Sequence, residues 1–286
     1  MAHAVESVGY RFPRTPIVAT VHSVFARACN IAWRDTLLTL CTAHGAQGPN
    51  VLRLAAGGPA DLRAWLEVGE RLDGTGRCLR TARATFDLSR AAVWRPVAAT
   101  SMLPLERAAA NVARARARLA DRRTRATSVI DAEAAPCVAA LVDACRRLDD
   151  GALAPEVHRL VGWGEGLTPA GDDVLAGFMA ALDAPALDDP GRRRFRDGLR
   201  AACLARTSRT TPISAAQLRL AAEGHHGAPA LAARDALLYQ HDARALDAAL
   251  DDALTIGATS GAAMLAGLIG ALEASLPAAH VTEHRP

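Results

Sequence analysis

The chain has 286 residues, 50% of them hydrophobic, with 33 basic against 30 acidic side chains. That length can bury one large core or two smaller ones, and the nearly balanced charge leaves no strong field for holding a nucleic-acid backbone, so nucleic acid is not an expected partner. All the Lys+Arg positions are arginine, and the lack of lysine excludes a Walker-type phosphate loop, a Schiff base and a lysine general base.

The first residues, among them Glu6, Arg11 and Arg14, form no long apolar run, so neither a signal peptide nor an anchor is expected. From Ile17 to about Pro96, glycine and proline punctuate short apolar runs: "IVATVHSVF", "NIAWRDTLLTLC", "NVLRLA" and "ATFDLSRAAVW". These read as short strands of a small β-rich domain, with one helix near Asp61 to Glu70. His22 and Ser23 fall together on one such strand; a hydrogen-bonded structural pair is the simpler reading, and substrate-binding groups the alternative.

Beyond Pro104 the texture changes to long Ala/Leu/Arg stretches with helical spacing, interrupted at Pro136, Pro155, Pro169, Pro190, Pro212 and Pro229. Prolines there suit helix starts and stops. The expectation is an α+β protein: a small β-rich N-terminal domain over residues 1–103, packed on a larger α-helical domain over residues 104–286. The first helix, about Leu105 to Arg125, places Arg107, Arg114, Arg118, Arg122 and Arg125 along one face. A solvated charged face explains that row, and an acidic partner subunit is the alternative.

The segment "GWGEGLTPAGDDVLAGFMAAL" sets Gly162, Gly164 and Gly166 at every second position, then Thr168, Pro169, Gly171, Asp172 and Asp173. Thr168 suits an N-cap and Pro169 the first helical position. Glycines ahead of a helix let backbone N–H groups approach an anion. The first-turn aspartates complement the helix dipole by about 0.3–1 kcal/mol, but a carboxylate about 4 Å from a bound anion repels it by about 4 kcal/mol at an effective dielectric of about 20. An anion here therefore needs a bridging divalent cation, or a ligand that presents N–H groups to the carboxylates and its negative end to the loop. By helix phase, Asp172 continues the apolar stripe of Leu175, Phe178, Met179 and Leu182, which makes it the better candidate for a desolvated functional carboxylate.

"GDDVLAGFMAAL" from Gly171 aligns without gaps on "GAAMLAGLIGAL" from Gly261, with Ala262 and Ala263 at the aspartate positions. The small faces Ala176, Gly177, Ala180 and Ala266, Gly267, Gly270 would allow two such helices to pack closely, bringing Thr259, Ser260 and Gly261 beside the glycine loop. Coincidence in an Ala-rich chain is the alternative.

With "GLTPAGDDVLAG", "VHSVFARACN", "GPN", "TTPISAAQLRLAAEG" and "IGATSGAAMLAG", the chain resembles the AllH family, a subunit of oxamate carbamoyltransferase. The resemblance implies a role in ureide (allantoin, purine) catabolism, where an assembly of unlike subunits converts oxalurate and phosphate to oxamate and carbamoyl phosphate. It implies as partners a small anionic carboxylate/amide substrate or carbamoyl phosphate, together with other subunits. On that reading Gly164, Gly166, Thr168 and Gly171, joined by Ser260, Gly261, His22 and Ser23, are substrate-binding candidates. Asp172 and Asp173 are then the catalytic candidates, holding Mg²⁺ or accepting from an amide. A non-catalytic structural or regulatory subunit, and a free-standing metal-dependent enzyme on small carboxylates, are the competing readings.

The remaining signals are weaker. Cys29, Cys41, Cys78, Cys137, Cys145 and Cys203 show no CxxC pair and read as buried thiols of a reducing compartment. Ala262 to Leu272, the longest uncharged apolar stretch, is too short to span a bilayer, so a cytoplasmic protein without a membrane partner is expected. Thr210, Thr211 and Ser214 read as a helix cap, His225 and His226 as solvated loop residues, and the absence of GxSxG gives no support to a serine hydrolase.

Overall fold

The structure, a computed structural model, describes residues 2–97, 101–125 and 133–277, without the side chains of residues 122–125. The chain divides into two compact units, Met1–Val97 and Ala98–Pro286.

The first unit carries β1 (Ala2–Gly9), β2 (Ile17–Val24), β3 (Ala28–Trp33), β4 (Thr36–Cys41), β5 (Val51–Leu54), β6 (Arg71–Gly74), β7 (Cys78–Arg80), β8 (Thr85–Asp87) and β9 (Ala92–Trp94). They are ordered β5-β4-β3-β2-β6-β7-β8-β1, and β1 pairs back onto β5. Eight strands thus close into a barrel, and β9 continues along β1 at Ser7–Gly9, past the Ala2–Ala4 stretch that pairs with β8. Closure removes the exposed edges that so many short strands would otherwise present. The sequence supports it by alternation: Ile17, Ala19 and Val21 are buried while Val18 and Thr20 are exposed. "NIAWRDTLLTLC" is a hairpin, with Trp33 opposite Thr36 and Arg34 turning the chain at φ 52°.

The helix expected near Asp61 to Glu70 does not form; there is only a single 3-10 turn at Leu62–Ala64. Asp61 caps it, accepting from the Arg63 N–H at 2.9 Å. The Gly69 N–H then donates to the Val21 carbonyl and the Val21 N–H to Glu70, so pairing with β2 captures the backbone before a second turn can close. Strands β1, β6 and β7 lie outside the runs picked from the sequence.

The second unit comprises α1 (Leu105–Arg125), α2 (Ala135–Arg147), α3 (Leu153–Leu160), α4 (Ala170–Leu182), α5 (Pro190–Leu204), α6 (Pro212–Ala222), α7 (Ala228–Tyr239), α8 (Ala243–Leu254) and α9 (Ser260–Ser275). Pro136, Pro155, Pro190, Pro212 and Pro229 each sit in the first turn of a helix, where the missing N–H costs nothing. At α4 the start is one residue later than expected: Pro169 is the N-cap, with ψ 140°, and the Thr168 side chain makes no cap. α4 and α9 form the most extensive helix pair and are buried along nearly their whole length.

Part of the arginine row of α1 meets carboxylates that α8 supplies. Arg114 pairs with Asp247 at 2.6 Å, and Arg118 with Asp247 and Asp251. Arg107 donates to the His241 carbonyl at 3.1 Å; the side chains of Arg122 and Arg125 lie outside the described residues. His226 is buried, not solvated: Gly224, at φ 81°, turns the chain back after α6, and His226 meets Asp183 at 2.7 Å. Burial works to raise the Asp183 pKa, but His226 and Arg200 outweigh it and hold the carboxyl below the usual range. All six cysteines are free, and only Cys78 is not fully buried. Among the described residues, no helix is long and apolar enough to cross a membrane.

Candidate functional site

The glycine loop is built by alternation. Trp163 closes a turn onto the Leu160 carbonyl at 2.9 Å, and Gly164 and Gly166 adopt φ 103° and 91°, a backbone that side chains other than glycine rarely adopt. The first-turn N–H groups of α4 are used internally: Gly171 donates to the Trp163 carbonyl, Asp172 and Asp173 to that of Pro169. The N–H groups of Gly164 through Thr168 find no acceptor among the described residues, and Gly164 to Leu167 are exposed. Anion-binding capacity therefore rests with the loop backbone more than with the helix terminus.

The two aspartates have opposite surroundings. Asp172, 1% exposed, accepts from the Gly162 N–H at 2.9 Å, the Ser214 hydroxyl at 2.7 Å and the Thr210 hydroxyl. It ties the loop to the start of α6, which is further fastened where Thr211 donates to the Leu167 carbonyl at 2.5 Å. Sequence reasoning assigned Thr210, Thr211 and Ser214 to capping, yet only Thr211 caps, accepting from the Ser214 N–H at 3.1 Å. Asp173, 8% exposed, keeps a buried Oδ2 with no hydrogen-bond partner. Burial is the main cause that pushes its pKa up to about 7; the hydroxyls of Ser260 and Thr168 oppose the shift and the Asp172 charge adds to it. A carboxyl poised there can give or take a proton at neutral pH.

α9 approaches from the other side. Thr168 and Ser260 share a hydrogen bond of 2.8 Å, which places the α9 N-terminus beside the loop. The approach is set by reciprocal glycines: a methyl at Gly177 would lie 2.0 Å from the Met264 carbonyl oxygen, and one at Gly267 1.9 Å from that of Val174. These are corresponding positions of the two aligned segments. Gly171 and Gly261 correspond as well, a methyl at each lying 2.0 Å from the carbonyl oxygen of Leu160 or Ala253 near the end of the preceding helix. Their role is packing.

His22 and Ser23 stand in the barrel, on β2. Ser23 Oγ lies 3.3 Å from His22 Nδ1 and accepts from Asn30 at 3.0 Å, and Asn30 accepts from Thr39 at 3.2 Å, a polar ladder across three strands. Among the described residues no group of three or more His, Cys, Asp or Glu side chains is placed to hold a metal. Asp172, with both oxygens already accepting from N–H and O–H donors, fits an Mg²⁺ ligand poorly, since the ion would have to displace them.

The architecture is a closed β-barrel unit followed by a helical unit built on two glycine-packed helices. One family model, described as the AllH family N-terminal domain, matches residues 5–93, and another, described as oxamate carbamoyltransferase subunit AllH, matches residues 160–272. The chain belongs to the AllH family. No curated protein and no solved structure matches it.

Proposed function

We propose that the chain is the AllH-type subunit of a carbamoyltransferase assembly of ureide catabolism, and that its site lies where the 164–168 loop meets Thr168, Asp173 and Ser260. The observation that carries this is the buried, unpaired Oδ2 of Asp173 beside a loop whose N–H groups are free to meet an anion. Oxamate has the matching two faces: a carboxylate for the loop and an amide N–H for Asp173. In carbamoyl transfer the oxamate nitrogen bonds to the carbamoyl carbon as the C–O bond to phosphate breaks. Asp173 takes the proton that the nitrogen loses, and returns it when phosphate cleaves oxalurate. Asp172 is a positioning residue, holding the loop and the α6 start in register.

The test is carbamoyl transfer by the assembled enzyme, with and without Mg²⁺, comparing wild type with Asp173→Asn. Loss of about 10²–10⁴-fold in kcat at normal assembly is expected, the range for removing a general base. Unchanged kcat would instead make this chain a non-catalytic subunit.

A further inference from the structure

Beside the glycine loop lies a cavity of about 240 Å³ lined by Glu133, Cys137, His158, Arg159, Trp163 and Arg209. Its cations are arranged against ordinary electrostatics. Arg209 Nη1 sits 2.6 Å from His158 Nδ1 and donates to the His158 carbonyl at 3.1 Å, while Arg206 Nε approaches the same ring at 3.4 Å. Arg159 is paired with Glu156 at 3.0 Å, but neither Arg206 nor Arg209 forms an ion pair among the described residues. The Arg209 charge, with burial and the other two arginines, lowers the His158 pKa and keeps the ring neutral, with both its nitrogens within 2.7 Å of Arg209 Nη1. Most other arginines of this unit have found a carboxylate, including Arg114, Arg116, Arg192 and Arg200.

The placement of these groups is not left to flexible side chains alone. Gly162 packs directly on the Arg209 backbone, where an added methyl would lie 2.5 Å from the Arg209 carbonyl oxygen. Asp172 accepts from Gly162 on one side and from Thr210 on the other, so one buried carboxylate fixes both Trp163 and Arg209, the residues that follow and precede its partners.

We infer that this cavity is a phosphate-group site, with Arg209 as its principal ligand, Trp163 as its wall, and Arg206, which stands behind His158 outside the lining, adding its charge. The Arg209 fork, with the charges of Arg159 in the lining and Arg206 behind it, suits a dianion with several acceptor oxygens better than a single carboxylate, and outweighs the Glu133 carboxylate in the same lining. The phosphate group is either free inorganic phosphate or the phosphate of a carbamoyl or other acyl phosphate. Only the second identity rests on the function proposed above; recognition of the phosphate group does not.

The experiment is titration of the full chain with inorganic phosphate, carbamoyl phosphate and oxamate in separate arms, followed by calorimetry and by Trp163 fluorescence. The other tryptophans, Trp33, Trp65 and Trp94, lie in the first unit. Inorganic phosphate should bind with a fluorescence change that Trp163→Phe abolishes. Arg209→Gln should weaken binding at least about tenfold and Arg206→Gln severalfold, both folded by circular dichroism, while Arg116→Gln leaves it unchanged. Tighter binding of carbamoyl phosphate than of inorganic phosphate, still Arg209-dependent, identifies the acyl phosphate as the source. Absence of phosphate binding, binding that survives in both Arg209→Gln and Arg206→Gln, or oxamate competing as strongly as phosphate would overturn the site. Those results leave the Asp173 reading to its own assay.

Discussion

The two helix pairs that lead into the aligned segments, α3 with α4 and α8 with α9, share a packing plan and differ in chemistry. In each, a glycine at the second-helix start rests on a carbonyl of the helix before it, and a glycine six residues on rests on a carbonyl of the opposite copy. The second copy does this with Ala262 and Ala263 and a short Thr255–Thr259 connection. The first adds Gly162, Gly164, Gly166, Asp172 and Asp173, none of which the α4–α9 contact requires. A buried carboxylate with an unpaired oxygen, as at Asp173, is a cost to stability, and residues of that kind cluster where ligands are handled.

The comparison can be broken at several points. Asp172→Ala makes the first copy resemble the second and strands the Gly162 N–H and two hydroxyls; a loss of about 4 kcal/mol in denaturant unfolding is expected, and a loss below about 1 kcal/mol would show the network to be dispensable. Gly177→Ala and Gly267→Ala should each cost about 3 kcal/mol, since a methyl has no room against a backbone carbonyl. Unequal costs would break the symmetry of the pair.

Asp173→Asn sharpens the contrast in the other direction. The folded-state pKa of Asp173, about 7, lies above the ordinary aspartate value, so its contribution to stability is fully present below about pH 4 and is lost as pH rises through 7. At pH 8 the variant should therefore be more stable than wild type by about 2 kcal/mol, a gain that shrinks toward pH 4. A gain independent of pH would remove the raised pKa from the account. The smallest effect is expected at Arg114→Ala, where an exposed pair with Asp247 is worth less than about 1 kcal/mol, and raising the salt concentration should erase even that.

Much of the fold was legible because its signals are local. Proline positions marked helix starts, alternation marked β2, and the small faces on "DDVLAG" and "AAMLAG" announced the α4–α9 contact. The helix near Asp61 failed because sheet pairing at Val21 overrode a local propensity, a long-range competition that no window of sequence displays. At the site, spacing drew attention to both aspartates, but helix phase ranked them by burial alone. Both are buried; the difference lies in who donates to them, and Thr210 and Ser214 come from about forty residues away. The His158–Arg206–Arg209 cluster carried no sequence signal, since arginines this frequent cannot be sorted into paired and unpaired ones without the fold.

The most direct measurement is the oxamate-induced shift in melting temperature of the full chain at pH 8, in wild type and in Asp173→Asn. A ligand held by Asp173 raises the melting temperature of wild type in proportion to binding and leaves the variant, itself more stable, unmoved. An equal shift in both proteins would contradict the account, placing oxamate elsewhere and leaving Asp173 without a ligand.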